Sequence, residues 1–115
     1  MTDDGCLFCR MASGAMAVDK LDEDELCFAI RDINPRAPIH LLIIPHEHIP
    51  SVREVRDEHG PLLARMLSVA NRLADGEGIA ERGYRLAFNC GPEGGQTIYH
   101  LHLHVLGGRS LGAEG

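Results

Sequence analysis

Hydrophobic and polar residues alternate most regularly in the segment HLHLHVL at residues 100–106. A period of two residues is typical of a β-strand, because successive side chains of a strand point to opposite faces. The pattern predicts a strand whose aliphatic side chains enter a core. His100, His102 and His104 would line the other face, with neighbouring histidines about 7 Å apart. The alternative is the solvated outer face of an edge strand.

The rest of the chain is predicted to form two helices and four more strands. Their predicted bounds are residues 6–14 and 57–75 for the helices, and residues 18–21, 26–31, 40–45 and 84–89 for the strands. An acidic turn at residues 22–25 and a loop with two prolines at residues 32–38 connect these elements.

The two longest apolar patterns set the fold class. Apolar residues recur with helical spacing in the long helix, and Pro61 and Gly76 suit its first turn and its end. Residues 40–45 are nearly all apolar, as in a central strand that is covered on both faces. Strands on both sides of one long helix indicate an α+β fold with a mainly antiparallel sheet of about five strands.

Length and composition restrict the class of protein. A chain of 115 residues suits one domain, so we expect a single domain over residues 1–115 with flexible ends at residues 1–5 and 110–115. The formal net charge of −6 argues against a nucleic-acid-binding surface. The acidic start lacks the pattern of a secretory signal, and no apolar run approaches the roughly 20 residues that span a bilayer. We expect a cytoplasmic protein, in which the four cysteines are thiols or metal ligands rather than disulfides.

The three aligned histidines are the first candidates for chemistry. By strand geometry His100 and His104 lie about 13 Å apart at the backbone, whereas a metal–nitrogen bond is about 2 Å long. One ion could therefore bind two neighbours but not all three. At least one histidine is left for other work, and a neutral imidazole near pH 7 can act as a base or as a nucleophile.

A glycine-rich segment, GPEGGQT at residues 91–97, lies just before the histidines. Its glycines allow the backbone to approach a ligand closely and to turn N–H groups toward a phosphate. Neutral hydrogen-bonding side chains accompany them at Asn89, Gln96 and Thr97. An ordinary connecting loop is the alternative. Beside histidines in an acidic protein, the segment suits a single phosphate ester, so Gly95 and Gln96 are candidate substrate-binding residues.

The pair Cys6-x-x-Cys9 has three interpretations: half of a zinc site, a redox pair, or two buried small apolar residues. A redox pair is expected at the start of a helix that follows a strand, and no strand precedes this one. A structural zinc needs two more ligands. His46, His48 and His100 are the candidates.

Five other residues have weaker signals. Asp32 could cap a turn or bind a ribose, and His40 could be a hydrogen-bonded core histidine or a catalytic one. Cys27 and Cys90 are most simply core thiols, and His59 most simply lies on the helix surface.

Several ordered motifs resemble those of one known family. They are the segments DINPRAPIH at residues 32–40, YRLAFN at 84–89, GGQTIY at 94–99, HLHLHVL at 100–106 and GGR at 107–109. Together they resemble the histidine triad (HIT) superfamily, whose signature is histidine alternating with hydrophobic residues. The size of the chain and its Gly-Gly-Arg segment resemble the Hint branch, the histidine triad nucleotide-binding proteins. The resemblance implies a HIT-like α+β fold and a homodimer in which one sheet continues across both subunits.

The resemblance also implies an activity. It is the hydrolysis of nucleoside 5′-phosphoramidates, of the AMP-NH2 or AMP-lysine type, at a site for purine nucleoside monophosphates such as AMP or GMP. His102 matches the nucleophile that attacks the α-phosphorus and forms a nucleotidyl-histidine intermediate. His104 matches a ring that contacts the phosphate, and His40 one that supports the triad. The residues that match substrate-binding positions are Asp32 at the ribose, Asn89 and Thr97 at the phosphate, and Leu7, Phe8, Met11, Ile30 and Ile33 around the base.

Members of the family that carry a Cys-x-x-Cys pair bind zinc with it, and the matching ligands here are Cys6, Cys9, His48 and His100. Zinc with four protein ligands has no open position for water, so it would be structural, and no organic cofactor is expected. Three alternatives stay open: a dinucleoside polyphosphate hydrolase of the same superfamily, a nucleotide-binding interaction protein with little turnover, and a metal-dependent hydrolase that uses a histidine pair.

Overall fold

A five-stranded antiparallel sheet forms the centre of the structure, a computed structural model that describes residues 5–115. The strands are β1 (Asp22–Glu23), β2 (Cys27–Arg31), β3 (Ile39–Pro45), β4 (Tyr84–Ala87) and β5 (Leu103–Gly107), and their order across the sheet is β1-β2-β3-β5-β4. The helices are α1 (Leu7–Ser13) and α2 (Gly60–Gly76), and two short 3₁₀ turns, Val52–Glu54 and Asp57–His59, precede α2. The predicted α+β fold, with one long helix and a short N-terminal helix, is confirmed.

Side chains of the central strand β3 alternate between two apolar layers. Leu41 and Ile43 belong to the larger layer, in which the sheet packs against α2. Leu42 and Ile44 belong to the smaller layer, in which the sheet packs against α1. The sequence prediction of a central strand covered on both faces is therefore confirmed, and the two layers separate the α2 side from the α1 side.

Both helices begin and end with the signals that the sequence carries. The Cys6 Sγ caps α1 by accepting a hydrogen bond from the Cys9 backbone N–H at 3.3 Å, and Gly14 ends this helix at a φ of 86°. The long helix starts later than predicted, because residues 57–59 form a 3₁₀ turn and Pro61 lies in the first α-helical turn.

The predicted histidine strand at residues 100–106 is correct only in part, because β5 begins at Leu103. Its ladder with β3 starts at the pair Ile43–Leu103. Residues 100–102 lie outside this ladder, and the Leu101 backbone N–H instead donates to the Ile49 carbonyl at 2.6 Å. The predicted alternation of faces holds, with Leu101, Leu103 and Val105 in the layer against α2. A solvated histidine face is wrong, because His100 and His104 are buried.

The predicted strand at residues 18–21 is wrong, since the first strand is β1 inside the predicted acidic turn. The Asp24 carboxylate explains the shift, because it accepts hydrogen bonds from the backbone N–H groups of Leu26 at 2.8 Å and Cys27 at 3.0 Å. These bonds close the turn later along the chain, so Asp22 and Glu23 enter the ladder opposite β2. The predicted strand at residues 84–89 also ends early, at Ala87.

Three further predictions concern exposure and the chain ends. Cys27 is buried as expected, whereas Cys90 is exposed and is not a core thiol. Two chain ends were predicted to be flexible. Residues 1–4 of the first end lie outside the described part of the chain. In the second end, residues 110–115, the Gly112 carbonyl accepts a hydrogen bond from the Arg85 guanidinium. Within residues 5–115 no helix is long and apolar enough to cross a membrane.

Candidate active site

A cavity of about 430 Å³ lies on the α1 side of the sheet, between α1, the loop after β2 and the start of β5. It brings together eleven of the residues predicted to bind or convert substrate. They are Leu7, Phe8, Met11, Ile30, Asp32, Ile33, Asn89, Gly95, Thr97, His102 and His104. Apolar side chains from α1 and β2 form one wall, and polar groups from the glycine-rich segment and the histidines form the other. The cavity has the apolar lining with few polar groups that is typical of small-ligand sites.

The glycine-rich segment forms one edge of the cavity through a tight turn. The Asn89 side-chain amide donates to the Gly94 carbonyl at 2.8 Å, and Gly95 has a φ of 84°. A Cβ added at Gly94 would lie 2.3 Å from the Cys90 carbonyl oxygen, so the turn needs glycine there. Asn89 and Gly95 thereby reach the cavity together with Thr97.

Gln96 is the one predicted substrate-binding residue whose side chain the structure directs away from the cavity. Its side-chain amide donates to the carbonyls of Pro50 at 2.8 Å and Ile98 at 3.1 Å. Its oxygen accepts from the Gly91 backbone N–H at 3.0 Å. The side chain is buried and closes the glycine-rich turn, and it does not line the cavity, so its contact with substrate stays a prediction.

A chain of hydrogen bonds fixes the tautomers of His40 and His104. The Arg36 backbone N–H donates to His40 Nδ1 at 3.1 Å, so a neutral His40 carries its proton on Nε2. That Nε2–H lies 2.9 Å from His104 Nδ1, which must accept. His104 is therefore left with a proton on Nε2, and it lines the cavity as a hydrogen-bond donor. His40 itself is buried behind His104.

The tautomer of His102 is fixed in the opposite sense. Its Nδ1 lies 2.8 Å from the carbonyl of His100, and a carbonyl only accepts, so the proton of neutral His102 is on Nδ1. Nε2 then carries a lone pair and is the ring nitrogen left for the cavity. The ring packs edge-on against Phe8 at 5.1 Å between centroids and lies 5.0 Å from the ring of His104. A lone pair on one ring and an N–H on its neighbour face the same space.

Burial keeps these rings neutral. Burial, together with the neighbouring His102 and His40, lowers the pKa of His104 from 6.5 to about 4. Burial also lowers the pKa of His40 and of His102 below the ordinary value. Near pH 7 the site therefore has an unprotonated nitrogen on His102 and a neutral donor on His104.

Asp32 lies next to the rings of His40 and His104. One carboxylate oxygen accepts from the Asn34 backbone N–H at 2.9 Å, and the other lies 3.4 Å from His40 Nε2. Asp32, His40 and His104 place their potential ligand atoms within 4.8 Å of one another. The bond from Arg36 to His40 Nδ1 keeps a proton on Nε2, between His40 and His104, and this proton disfavours a catalytic metal at these three residues.

A second cluster lies beside the cavity and contains the four predicted metal ligands. Cys6, Cys9, His48 and His100 place one sulfur or nitrogen each within 4.8 Å of one another. His46, the other candidate, lies outside this cluster, where its Nε2–H donates to the Asp24 carbonyl at 2.9 Å. The sequence spacing alone left these alternatives open.

The distances between the potential ligand atoms are close to those of a tetrahedral zinc site. Zinc–nitrogen bonds of about 2.0 Å and zinc–sulfur bonds of about 2.3 Å separate neighbouring ligand atoms by roughly 3.3–3.8 Å. His100 Nδ1 lies 3.3 Å from Cys6 Sγ and 3.2 Å from His48 Nδ1, and Cys9 Sγ lies 3.2 Å from His48 Nδ1. His100 Nε2–H donates to the Pro45 carbonyl at 2.8 Å, so Nδ1 presents its lone pair to the cluster. This cluster can hold a metal ion.

The cavity also contains residues that no pattern or motif in the sequence assigned to it. They are Arg31, Asn34, Arg36, Leu42 and Ile98. The alternation along β3 places Leu42 on the α1 face, and this signal was available in the sequence. Asn34 and Arg36 follow Asp32 in the proline-containing loop, where no periodic pattern indicates the direction of a side chain.

Comparisons with known proteins place the whole chain in one family. A family model described as scavenger mRNA decapping enzyme C-term binding matches residues 5–113. The chain is 48% identical over 106 residues to the purine nucleoside phosphoramidase of Escherichia coli, covering 92% of this chain and 89% of that protein.

Solved structures extend the likeness to the fold. A HIT family hydrolase from Clostridium thermocellum superposes with a TM-score of 0.93 at 45% identity, covering 98% of both chains. A zinc-bound histidine triad family protein from Mycobacterium smegmatis superposes with a TM-score of 0.78 at 32% identity, covering 91% of this chain and 76% of that one. The motifs, the fold and these matches together show that the chain belongs to the histidine triad (HIT) superfamily.

Proposed function

We propose that this protein is a nucleotide hydrolase that cleaves purine nucleoside 5′-phosphoramidates through a nucleotidyl-histidine intermediate on His102. The observation that carries the proposal is the tautomer of His102, whose Nδ1–H bond to the His100 carbonyl leaves the Nε2 lone pair for the cavity. The 48% identity to a protein named purine nucleoside phosphoramidase supports the substrate class.

The lining of the cavity suits a nucleoside monophosphate such as AMP or GMP. A purine ring would lie against the apolar wall formed by Leu7, Phe8, Met11, Ile30 and Ile33. Asp32 can accept hydrogen bonds from ribose hydroxyls, because its carboxylate is partly exposed at the edge of the same cavity. Asn89, Gly95 and Thr97 offer neutral groups to the phosphate.

The proposed reaction has two displacement steps at the α-phosphorus. In the first, His102 Nε2 forms a bond to phosphorus while the P–N bond to the leaving amine breaks, and the amine takes up a proton from solvent water. The His104 Nε2–H donates a hydrogen bond to a phosphoryl oxygen, on which charge accumulates. In the second step a water oxygen attacks phosphorus and the N–P bond breaks. The water releases a proton to solvent, which replaces the one taken up by the amine, and the nucleoside monophosphate leaves with His102 restored.

Zinc is part of the proposal as a structural ion. Two thiolates and two imidazoles would complete a tetrahedral shell, which leaves no open position for a water molecule. Cys6 and Cys9 belong to the start of α1, and His100 lies two residues before the proposed nucleophile. An ion bound there would hold α1 against the segment that presents His102.

We also propose a homodimer and a cytoplasmic location. Two features support self-association: β4 lies at an edge of the sheet, and Leu67 on α2 is 41% exposed. Sedimentation of the wild type and of Leu67→Glu tests the dimer, and a monomeric wild type would contradict it.

Hydrolysis assays test the activity. We expect the wild type to cleave adenosine 5′-phosphoramidate and AMP-lysine faster than diadenosine polyphosphates. His102→Asn should lower the rate by about a thousandfold or more, because the nucleophile is removed. His59→Gln, at an α2-side turn outside the cavity, is the matched control. Unchanged turnover in His102→Asn would contradict the mechanism, and tight AMP binding with negligible wild-type turnover would favour an interaction protein instead.

A further inference from the structure

Arg36 lies in the cavity although neither its position in the sequence nor the family motifs assign it a role. Its side chain lines the cavity together with His102 and His104. The guanidinium Nη2 lies 3.5 Å from His104 Nδ1, the same atom that accepts from His40 Nε2–H at 2.9 Å. A full positive charge is therefore held beside the rings that face the proposed phosphate position.

No ion pair holds this charge among residues 5–115, although the Asp32 carboxylate lies 3.4 Å from His40 Nε2 nearby. Arg31, the other arginine at the cavity, makes two bonds of 2.8 Å to the Glu77 carboxylate. Arg36 has no carboxylate within ion-pair distance in the part of the chain from residue 5 to residue 115. His40 and His104 donate hydrogen bonds but are kept neutral by burial, so they supply no charge. A nearby cation favours an anionic ligand in this acidic chain, and Arg36 is placed to supply it.

The backbone of Arg36 is anchored on both sides. Its N–H donates to His40 Nδ1 at 3.1 Å, and its carbonyl accepts from the Arg109 guanidinium at 2.8 Å. The neighbouring Gly108 packs against Pro38 so closely that an added Cβ would lie 2.9 Å from the proline Cβ. The Gly-Gly-Arg segment thus fixes the base of the Arg36 side chain relative to the histidines, while the exposed guanidinium can turn toward a ligand.

We propose that Arg36 is a phosphate-binding and specificity-determining residue, whose guanidinium binds a phosphoryl oxygen of the nucleotide. This assignment rests on the proposed function for the location of the phosphate. A guanidinium matches phosphate geometry with paired N–H donors and stays charged throughout the neutral pH range. The residue distinguishes nucleotides from nucleosides, which share the base and the ribose but lack the phosphate.

Binding of AMP and of adenosine, measured by calorimetry on the full chain, tests the assignment. Arg36→Gln should weaken AMP binding about ten- to hundredfold, because a charge-assisted bond is lost. Adenosine binding should change less than about twofold, since it has no phosphate. Arg36→Lys should lie between Gln and the wild type, because it keeps the charge without the fork of donors. Higher salt should weaken AMP binding more in the wild type than in Arg36→Gln.

Arg31→Gln is the matched control, since it removes a cavity arginine that is already paired with Glu77. We expect this variant to keep the wild-type ratio of AMP to adenosine affinity. Unchanged AMP affinity in Arg36→Gln, or an equal loss for AMP and adenosine, would overturn the assignment. The two proposals can fail separately. If Arg36→Gln loses AMP affinity but the wild type never hydrolyses amidates, the hydrolase proposal is overturned and the Arg36 assignment is supported.

Discussion

The backbone carbonyl of His100 accepts the Nδ1–H of His102 at 2.8 Å, while the His100 ring presents its own Nδ1 to Cys6 and His48. One residue therefore joins the metal cluster and sets the tautomer of its neighbour. This relationship explains how a structural ion could support the site without taking part in the reaction.

Metal content is the first test of this relationship. We expect about one zinc per subunit by elemental analysis, and Cys6→Ser combined with Cys9→Ser should lose it. The double variant should also unfold at a lower temperature, because metal that binds only the folded state stabilises it. Cys90→Ser is the control, since this exposed cysteine lies outside the cluster. Zinc that persists in the double variant would exclude these ligands.

His40 is expected to act by positioning His104. His40→Gln should lower kcat about ten- to hundredfold with little change in KM, because His104 loses the bond that fixes its ring and tautomer. Rates measured for His59→Gln provide a close control. His59 Nδ1 also accepts a backbone N–H, from Arg56 at 2.8 Å, but outside the cavity. A larger effect on KM than on kcat would show that His40 serves binding rather than positioning.

The buried histidines predict how stability depends on pH. The pKa of His104 is about 4 in the folded protein and 6.5 when unperturbed, so the unfolded state takes up this proton more readily. The free energy of unfolding should be highest above pH 6.5, fall as the pH drops toward 4, and lose about 3 kcal/mol from this group. Urea titrations across this range measure the slope. His104→Gln should have a shallower slope than the wild type, and parallel profiles would contradict the prediction.

Gly108 is expected to be sensitive to a single methyl group. Its φ of 94° and the 2.9 Å approach of an added Cβ to Pro38 predict that Gly108→Ala costs about 2 kcal/mol of stability. Gly112→Ala serves as the reference, because its added Cβ meets no atom within 4 Å. Denaturant midpoints of the two variants measure the difference. Equal midpoints would show that the loop before β3 adjusts freely.

Local signals were sufficient for much of the fold. The apolar run of β3, the Pro61 turn and the Gly14 end of α1 depend on neighbouring residues, so the sequence predicted them. The alternation of residues 100–106 gave the correct faces for the same reason. The sequence resemblance named the residues that the structure gathers at the cavity and at the metal cluster.

Long-range bonds decided what the sequence did not reveal. The bond from the Leu101 N–H to the Ile49 carbonyl keeps residues 100–102 out of the predicted strand. Leu101 and Ile49 are far apart in sequence, so no local pattern could reveal this bond. Gln96 turns inward because carbonyls of distant segments, including Pro50, accept from its amide. No sequence pattern indicated a role for Arg36, because its place at the site depends on how its loop packs beside His104 in the folded structure.

Trapping the covalent intermediate tests the central claim most directly. The wild type would be mixed with an adenosine 5′-phosphoramidate labelled in the nucleotide, quenched in alkali within one turnover and mapped by mass spectrometry. We predict one nucleotide attached to the peptide at His102 and none in His102→Asn, with His59→Gln labelled as in the wild type. A label on any other residue, or full turnover without a label on His102, would contradict the account.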